Sequence, residues 1–304
     1  MRFEKTALVL EGGGFRGIYS SGVLDYFMEK SLEFPYIIGV SMGAINGANY
    51  ISEQPGRSFA IAETFMPDKR YMGMGNLLKE GNFFSRSFAY NELPRRYNIF
   101  DMKTYYSSDI AFYLTATDCE SGEARYFEKM EGDVAELIAA STSLPFMSQM
   151  VEIDGRPYMD GGIADSVPVR RALSDGNEKA VLVLTREKGY RKEPYGHERM
   201  VRSYYRKHPA FADGILNRHL FYNETMDLID ALEDEGKIYV LRPENPIETK
   251  VIDRNPEGVQ KSYKTGYDQA KAEWAALMAY LEKSEKLKKV YKGQSQRVFW
   301  LCLF

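Results

Sequence analysis

The feature that most constrains this chain is a five-residue turn, Gly39-Val40-Ser41-Met42-Gly43. An apolar run, Phe34 to Val40, precedes it. Helical spacing follows over Met42 to Tyr50, with small residues at Ala44, Gly47 and Ala48 that permit close packing. A buried strand that turns at once into a helix leaves little room at the flanking positions, where a side chain would collide with neighbouring backbone. Such a turn lifts the Ser41 hydroxyl out of the sheet and sets it at a helix N-terminus, where the macrodipole favours developing negative charge. Ser41 is therefore the candidate nucleophile. The plainer alternative is a serine capping a helix on a glycine-flanked turn.

Upstream, Thr6 to Leu10 reads as a short buried strand that stops at glycines. Ile18, Val23, Leu24, Phe27 and Met28 then give one apolar helical stripe. The order strand, glycine turn, helix, strand, sharp turn, helix predicts an α/β fold with a parallel sheet covered by helices. Further strands are expected over 109–117, 124–127, 180–185 and 238–241. A helix is expected over 134–140, and mainly helical segments over 204–235 and 257–287. Residues 55–108, rich in Phe, Tyr, Met and Gly, lack clean periodicity and read as an insertion of short helices and loops. No Pro/Gly/Ser-rich linker divides the chain. One domain over 1–290 is expected, with core motifs in 5–185, a helical part over 196–290, and an apolar tail over 291–304.

Composition excludes more than it selects. The 304 residues carry a formal net charge of -3, without the basic footprint of a nucleic-acid binder. Cys119 and Cys302 have no metal-ligand spacing, so neither a metal site nor a disulfide framework is implied. The apolar run before Glu11 is shorter than the roughly 7–15 residues of a secretory signal. No segment approaches the roughly 20 apolar residues of a membrane span. The expectation is a cytoplasmic, soluble protein that touches membranes, if at all, from outside.

Gly12-Gly13-Gly14-Phe15-Arg16-Gly17 follows the first strand. Consecutive glycines bare their backbone N–H groups and allow close approach, so Gly12, Gly13 and Gly14, with the amide of Met42, are candidates for an oxyanion hole. The same residues satisfy G-x-G-x-x-G, the dinucleotide fingerprint, which also wants an acidic residue at the end of the second strand. Glu33 lies before that strand and Ser41 holds its end, so the non-catalytic nucleotide-binding reading is poorly supported. A purely structural glycine turn stays open.

A serine needs a base. His197, His208 and His219 all lie in charged, helical-looking stretches. Asp160, ahead of Gly161 and Gly162 in what reads as a tight loop, is better placed. A Ser–Asp–His order using Asp160 and one histidine remains formally open.

GGGFRG, GVSMG and DGG, in that order, resemble the patatin-like phospholipase family, as does Ala140 to Pro145 (ASTSLP) leading towards Asp160. The resemblance covers roughly residues 5–185. It implies a three-layer α/β/α sandwich and a Ser–Asp dyad without histidine, metal or other cofactor. By motif position Ser41 would be the nucleophile and Asp160 the base. Gly12, Gly13 and Gly14 would shape the oxyanion hole, among motif glycines Gly17, Gly39, Gly43, Gly161 and Gly162. Arg16 would brace the loop or meet an anionic head group. The substrate would be a lipid ester cleaved through an acyl-enzyme; a soluble carboxylesterase or thioesterase on the same dyad is the alternative. Phe83, Phe84, Phe88 and Tyr90, with Met72, Met74, Leu77 and Leu78, are candidates for an acyl entrance, against ordinary core packing as the plainer reading. The apolar residues 297–304 are expected to dock on the body.

Overall fold

The computed structural model describes residues 1–283. The expectations for the tail over 291–304 and for Cys302 lie outside these residues. The first apolar run forms β1 (Thr6–Leu10) and the second β2 (Tyr36–Val40), each buried along its length. Then come β3 (Ala111–Asp118), β4 (Ala124–Glu128), β5 (Val151–Ile153), β6 (Arg156–Asp160), β7 (Lys179–Val183) and β8 (Ile238–Leu241). The strands join in one sheet of order β5-β6-β3-β2-β1-β7-β8, with β4 added to β3. The pairs from β3 through β2, β1 and β7 to β8 are parallel, and those involving β4, β5 and β6 are antiparallel.

Alternation along the strands divides the core. Leu8, Leu10, Ile37, Val181 and Val183 face one side, packed with residues of the helices Ile18–Glu29, Met42–Ile51 and Pro256–Ala272. Ala7, Val9, Ile38, Ala180 and Leu182 face the other, against the helices Val169–Ser174 and Pro209–Asp234. Because both faces are covered, the central strands read as continuous apolar runs rather than alternating ones. The result is a three-layer α/β/α arrangement on a mixed sheet.

Three expectations change. The helical stretch over 204–235 is interrupted: one helix ends at Tyr204 and the next starts with Pro209 in its first turn, where a missing N–H costs nothing. The helix from Pro256 breaks at Glu273, and 274–283 are helical again. Asp160 lies not in a loop but at the last position of β6. The β5–β6 hairpin that delivers it turns at Asp154 (φ 51°) and Gly155 (φ 74°), the paired positive φ values of a two-residue hairpin turn.

Candidate active site

Two strand ends meet on one edge of β3. Along that edge β2 pairs as far as Val40 with Thr115. β6, running the opposite way, takes over at Ala116 with Asp160. The other edge of β3 is occupied by β4 over Tyr113–Thr117, so β2 and β6 share a single edge and approach head to head. The residue after Val40 is Ser41 and the last residue of β6 is Asp160. Topology alone thus brings a hydroxyl and a carboxylate, far apart in sequence, to one point.

Ser41 has φ 54° and ψ -122°. A non-glycine residue held at positive φ is strained, by about 1–3 kcal/mol, and persists only where its surroundings enforce it. The enforcement is visible. A side chain on Gly43 would place a Cβ 2.4 Å from the Leu10 carbonyl oxygen, and one on Gly39 would meet the Gly43 oxygen at 2.6 Å. The Ser41 N–H donates to the Ser141 hydroxyl at 2.9 Å, which in turn donates to the Thr115 carbonyl at 2.7 Å. Ser141 therefore ties the elbow to the strand beside it. It was not singled out from the sequence, although it lies inside the ASTSLP segment.

Asp160 is buried. Its Oδ1 accepts from the Gly162 N–H at 2.8 Å, and its main-chain carbonyl accepts from the Thr117 hydroxyl at 2.8 Å. Its Oδ2 is buried and lacks a well-formed hydrogen bond among the described residues. Burial pushes the carboxyl above the usual carboxylate range. The neighbouring Ser41 hydroxyl, the Arg218 charge and the Gly162 amide each oppose that shift in part. Ser41 is thus within interaction range of Asp160, short of a fully formed hydrogen bond.

The glycine loop lies against this pair. A Cβ on Gly12 would sit 3.1 Å from the Ser41 Cβ. Gly14 holds φ 57°, and a side chain there would strike the Val251 carbonyl. Gly17 is packed on Met42, and Gly161 on the Thr115 carbonyl. Buried Glu11 anchors the loop by accepting from the Thr185 N–H (2.6 Å) and hydroxyl (3.0 Å) and from Tyr222 (3.0 Å). Among the described residues nothing accepts a hydrogen bond from the amides of Gly12, Gly13, Gly14 or Met42, so all four remain available.

The Arg16 Nε is buried without a hydrogen-bond partner among the described residues. Burial, with repulsion from Arg186, pulls the guanidinium below the ordinary arginine value. Glu33 stands before β2, at the end of the sheet away from the glycine loop, which removes the acidic group a dinucleotide site needs. His197 and His208 cap helices, and the His219 ring contacts the Leu216 carbonyl. None of the three hydrogen-bonds Ser41 or Asp160.

An apolar cavity of about 100 Å³ lies one helical turn beyond Ser41, lined by Ile45, Tyr71, Phe84, Tyr90, Leu93 and Ile138 among others. Tyr90 links it to the site, since its hydroxyl is hydrogen-bonded with Thr142 at 2.8 Å and feels the Asp160 charge. Of the eight residues named as candidates for an acyl entrance, only Phe84 and Tyr90 line this cavity. Phe83, Phe88 and Met72 are core, while Met74 and Leu78 are exposed. Leu77 borders a separate groove with Phe146 and Tyr205.

The chain is 25% identical over 268 residues to an uncharacterized protein, YjjU, of Escherichia coli (strain K12), covering 86% of this chain and 75% of that one. It is 27% identical over 176 residues to lysophospholipase nte1 of Aspergillus terreus, spanning 55% of this chain and 11% of the relative. An uncharacterized NTE family protein of Mycobacterium tuberculosis (strain ATCC 25618 / H37Rv) is 27% identical over 172 residues, with 54% and 44% covered. The chain therefore spans only a minority of the latter two. A structural likeness to VipD from Legionella pneumophila has 13% identity and a TM-score of 0.41, covering 91% of this chain and 67% of that one. Residues 208–282 match a domain of unknown function, DUF6363. Residues 8–173, which take in the end of β1, all of β2 to β6 and both converging strand ends, match the patatin-like phospholipase model, and the chain belongs to that family.

Proposed function

We propose that this protein hydrolyses carboxylic esters of lipids, with Ser41 as nucleophile and Asp160 as its base. The observation that carries the proposal is the meeting of β2 and β6 on one edge of β3, which sets a strained serine beside a buried carboxylate. Burial that raises the Asp160 pKa also makes the carboxylate a stronger base, better matched to a serine proton. Asp160 takes the Ser41 proton as the Oγ attacks the ester carbonyl. The free amides of the glycine loop and of Met42 stabilise the oxyanion, an effect of about 3–4 kcal/mol for one donor of this kind. The tetrahedral intermediate collapses, the alcohol leaves with the proton from Asp160, and water then releases the acid from the acyl-enzyme.

The cavity beside Ile45 receives the acyl chain in this reading. At about 100 Å³ it is smaller than the roughly 150 Å³ cavity that accepts benzene. That size favours a second reading, a carboxylesterase for short acyl groups on the same dyad. Chromogenic esters of four to twelve carbons decide between them. Ser41→Ala and Asp160→Asn are expected to lose at least a thousandfold in kcat, and an active-site fluorophosphonate to label wild type but not Ser41→Ala. Persistent hydrolysis or labelling in Ser41→Ala would sink the assignment. A histidine substitution as damaging as Asp160→Asn would replace the dyad by a triad.

A further inference from the structure

Beside Ser41 and Asp160 lies a group of cations drawn from three parts of the chain. Arg16 follows the glycine loop, Arg186 and Lys192 lie beyond β7, and Arg218 is on the helix Pro209–Asp234. The four are half-buried and close enough to repel one another: Arg186 acts on Arg16, while Arg218, Arg16 and Arg186 all act on Lys192. Among the described residues none of them enters a salt bridge. Their neighbours behave differently. Arg191 pairs with Asp227 at 2.6 Å and Asp230 at 3.1 Å, and Arg242 pairs with Asp230 and Glu233 on the same helix.

The group is held in place rather than left to solvent. The Lys192 ammonium lies 3.0 Å from the Tyr222 ring centroid, and the Arg186 guanidinium 4.1 Å from that of Tyr190. The two rings meet edge to face. Asn223 grips the Lys192 backbone through bonds of 2.8 and 3.1 Å. Arg218, one helical turn before Tyr222, donates to the Gly162 carbonyl two residues from Asp160. The Nε atoms of Arg16 and Arg186 are buried without a partner. Two carboxylates face the group. Glu11 is already engaged by Thr185 and Tyr222, and Asp160 has the proton transfer to perform.

Four basic side chains against two carboxylates leave the surroundings of the reacting ester rich in positive charge. Half-buried charges without counter-charges are unfavourable, and planar guanidinium forks fit phosphate oxygens well. A phosphate monoester carries about 1.5–2 negative charges at neutral pH and answers such a site better than a singly charged anion does. A phosphate diester carries one, and a choline head group would add a cation to a site already crowded with them. The Lys192 ammonium shows the same strain, since burial and the guanidiniums around it hold its pKa well below the ordinary lysine value.

We propose that Arg16, Arg186, Lys192 and Arg218 bind a terminal phosphate monoester on the substrate, so that the enzyme prefers acyl esters bearing a dianionic phosphate to neutral or choline-bearing ones. This rests on the assignment of Ser41 and Asp160 above.

The test has a catalytic arm and a binding arm, both on the full chain. The catalytic arm compares kcat/KM for 1-octanoyl-glycerol 3-phosphate, its choline diester and 1-octanoyl-glycerol. Wild type is expected to favour the monoester at least tenfold over each. That ratio should fall at least tenfold in Lys192→Met and Arg186→Gln, recover in Lys192→Arg, and stay at the wild-type value in Arg191→Gln. The binding arm uses Ser41→Ala and reads the shift in Tm with glycerol 3-phosphate, inorganic phosphate and glycerol. Glycerol 3-phosphate should raise Tm, glycerol should not, and Lys192→Met should abolish the shift.

Equal rates on all three esters, or a ratio unchanged in both variants, overturns the phosphate site while leaving the esterase standing. Inorganic phosphate binding as tightly as glycerol 3-phosphate without any ester preference also overturns it, because the site then holds free phosphate. Absence of hydrolysis of every ester, with glycerol 3-phosphate binding lost in Lys192→Met, removes the Ser41–Asp160 assignment and keeps the phosphate site.

Discussion

Replacing Ser141 by alanine separates the elbow from the chemistry it serves. The Ser141 hydroxyl accepts from the Ser41 N–H at 2.9 Å and donates to the Thr115 carbonyl at 2.7 Å, and the residue is fully buried. Alanine leaves the Ser41 N–H without an acceptor, a cost of about 1–3 kcal/mol, and removes one bond from a carbonyl, worth about 1 kcal/mol. The loss of stability is therefore about 2–4 kcal/mol. At about 2.1 cal/mol/K of unfolding entropy per residue, a chain of 304 residues loses about 1.6 °C per kcal/mol, so Tm falls by about 3–6 °C. Activity should fall further than stability accounts for. Ser41 is held at φ 54° partly through this bond, and a displacement of about 1 Å in a reacting group costs on the order of a hundredfold in rate. The assay is a thermal melt followed by kcat on a butyryl chromogenic ester under conditions where the variant is fully folded. Ser143→Ala is the comparison: that hydroxyl is also buried, but it only donates to the Ala139 carbonyl in the helix Val134–Thr142 that Ser143 follows. It should cost about 1 kcal/mol or less and leave kcat within about threefold. A Ser141→Ala protein with wild-type Tm and wild-type kcat would refute the reasoning.

Asp25 gives a pH signature independent of catalysis. Burial raises its pKa to about 6, against opposing hydrogen bonds from Tyr263 (2.7 Å) and Gly56 (2.8 Å). The folded state then binds a proton more readily than the unfolded chain, so the penalty for its charge is absent below about pH 4 and complete above about pH 6; two pKa units correspond to roughly 3 kcal/mol. Asp25→Asn should stabilise the protein by up to about that amount at pH 8, with the gain vanishing towards pH 4, and a gain that does not change between these pH values contradicts the assignment. Asp160 must be ionised to act as base, and its pKa is raised by burial. The acid limb of kcat/KM should therefore lie above the ordinary aspartate value of about 3.9, and a limb at or below that value removes Asp160 as the base. Phe84→Ala widens the cavity beyond Ile45 and should raise kcat/KM for octanoyl relative to butyryl esters by about tenfold; an unchanged ratio places the acyl chain elsewhere.

What was legible in the sequence follows from how local each signal is. β1, β2 and the turn at Ser41 were readable because apolar runs, glycines and helical spacing all lie within a few neighbouring residues. β8 was placed over Ile238–Leu241 for the same reason. The hairpin carrying Asp160 was not, since β5 has three residues and β6 begins Arg156-Pro157, with no run long enough to read as a strand. Its one local sign was Asp154-Gly155, the residue pair that a two-residue hairpin turn prefers. The segment 72–90 was hard to read for a related reason: apolarity there does not say which side chains face a cavity, and tertiary packing buried Phe83 and Phe88, as the plainer core reading has it, while leaving Leu78 in solvent.

Ser141, Glu11 and three of the four cations, Arg186, Lys192 and Arg218, were invisible in a stronger sense. Each matters only through a partner more than fifty residues away or on another element, as Glu11 does with Thr185 and Tyr222. The distribution has a physical origin. The glycine loop and the serine elbow need particular backbone shapes, and only a few residue types allow those, so the shape leaves a motif. A carboxylate partner or a cationic cluster needs only charge at a position in space, and arginine or lysine from any passing loop can supply it. Residues 8–173 accordingly contain the shape-dependent parts, whereas Arg186, Lys192 and Arg218 come from beyond that stretch. If these three set the choice of head group, substrate preference within the family should vary with the carboxyl-terminal half while the chemistry at Ser41 stays the same. Exchanging residues 186–222 for the corresponding segment of a relative lacking these cations would then change the monoester-to-neutral ratio and leave the fluorophosphonate reaction at Ser41 intact. A swap that abolishes labelling instead would show that the two halves cannot be separated in this way.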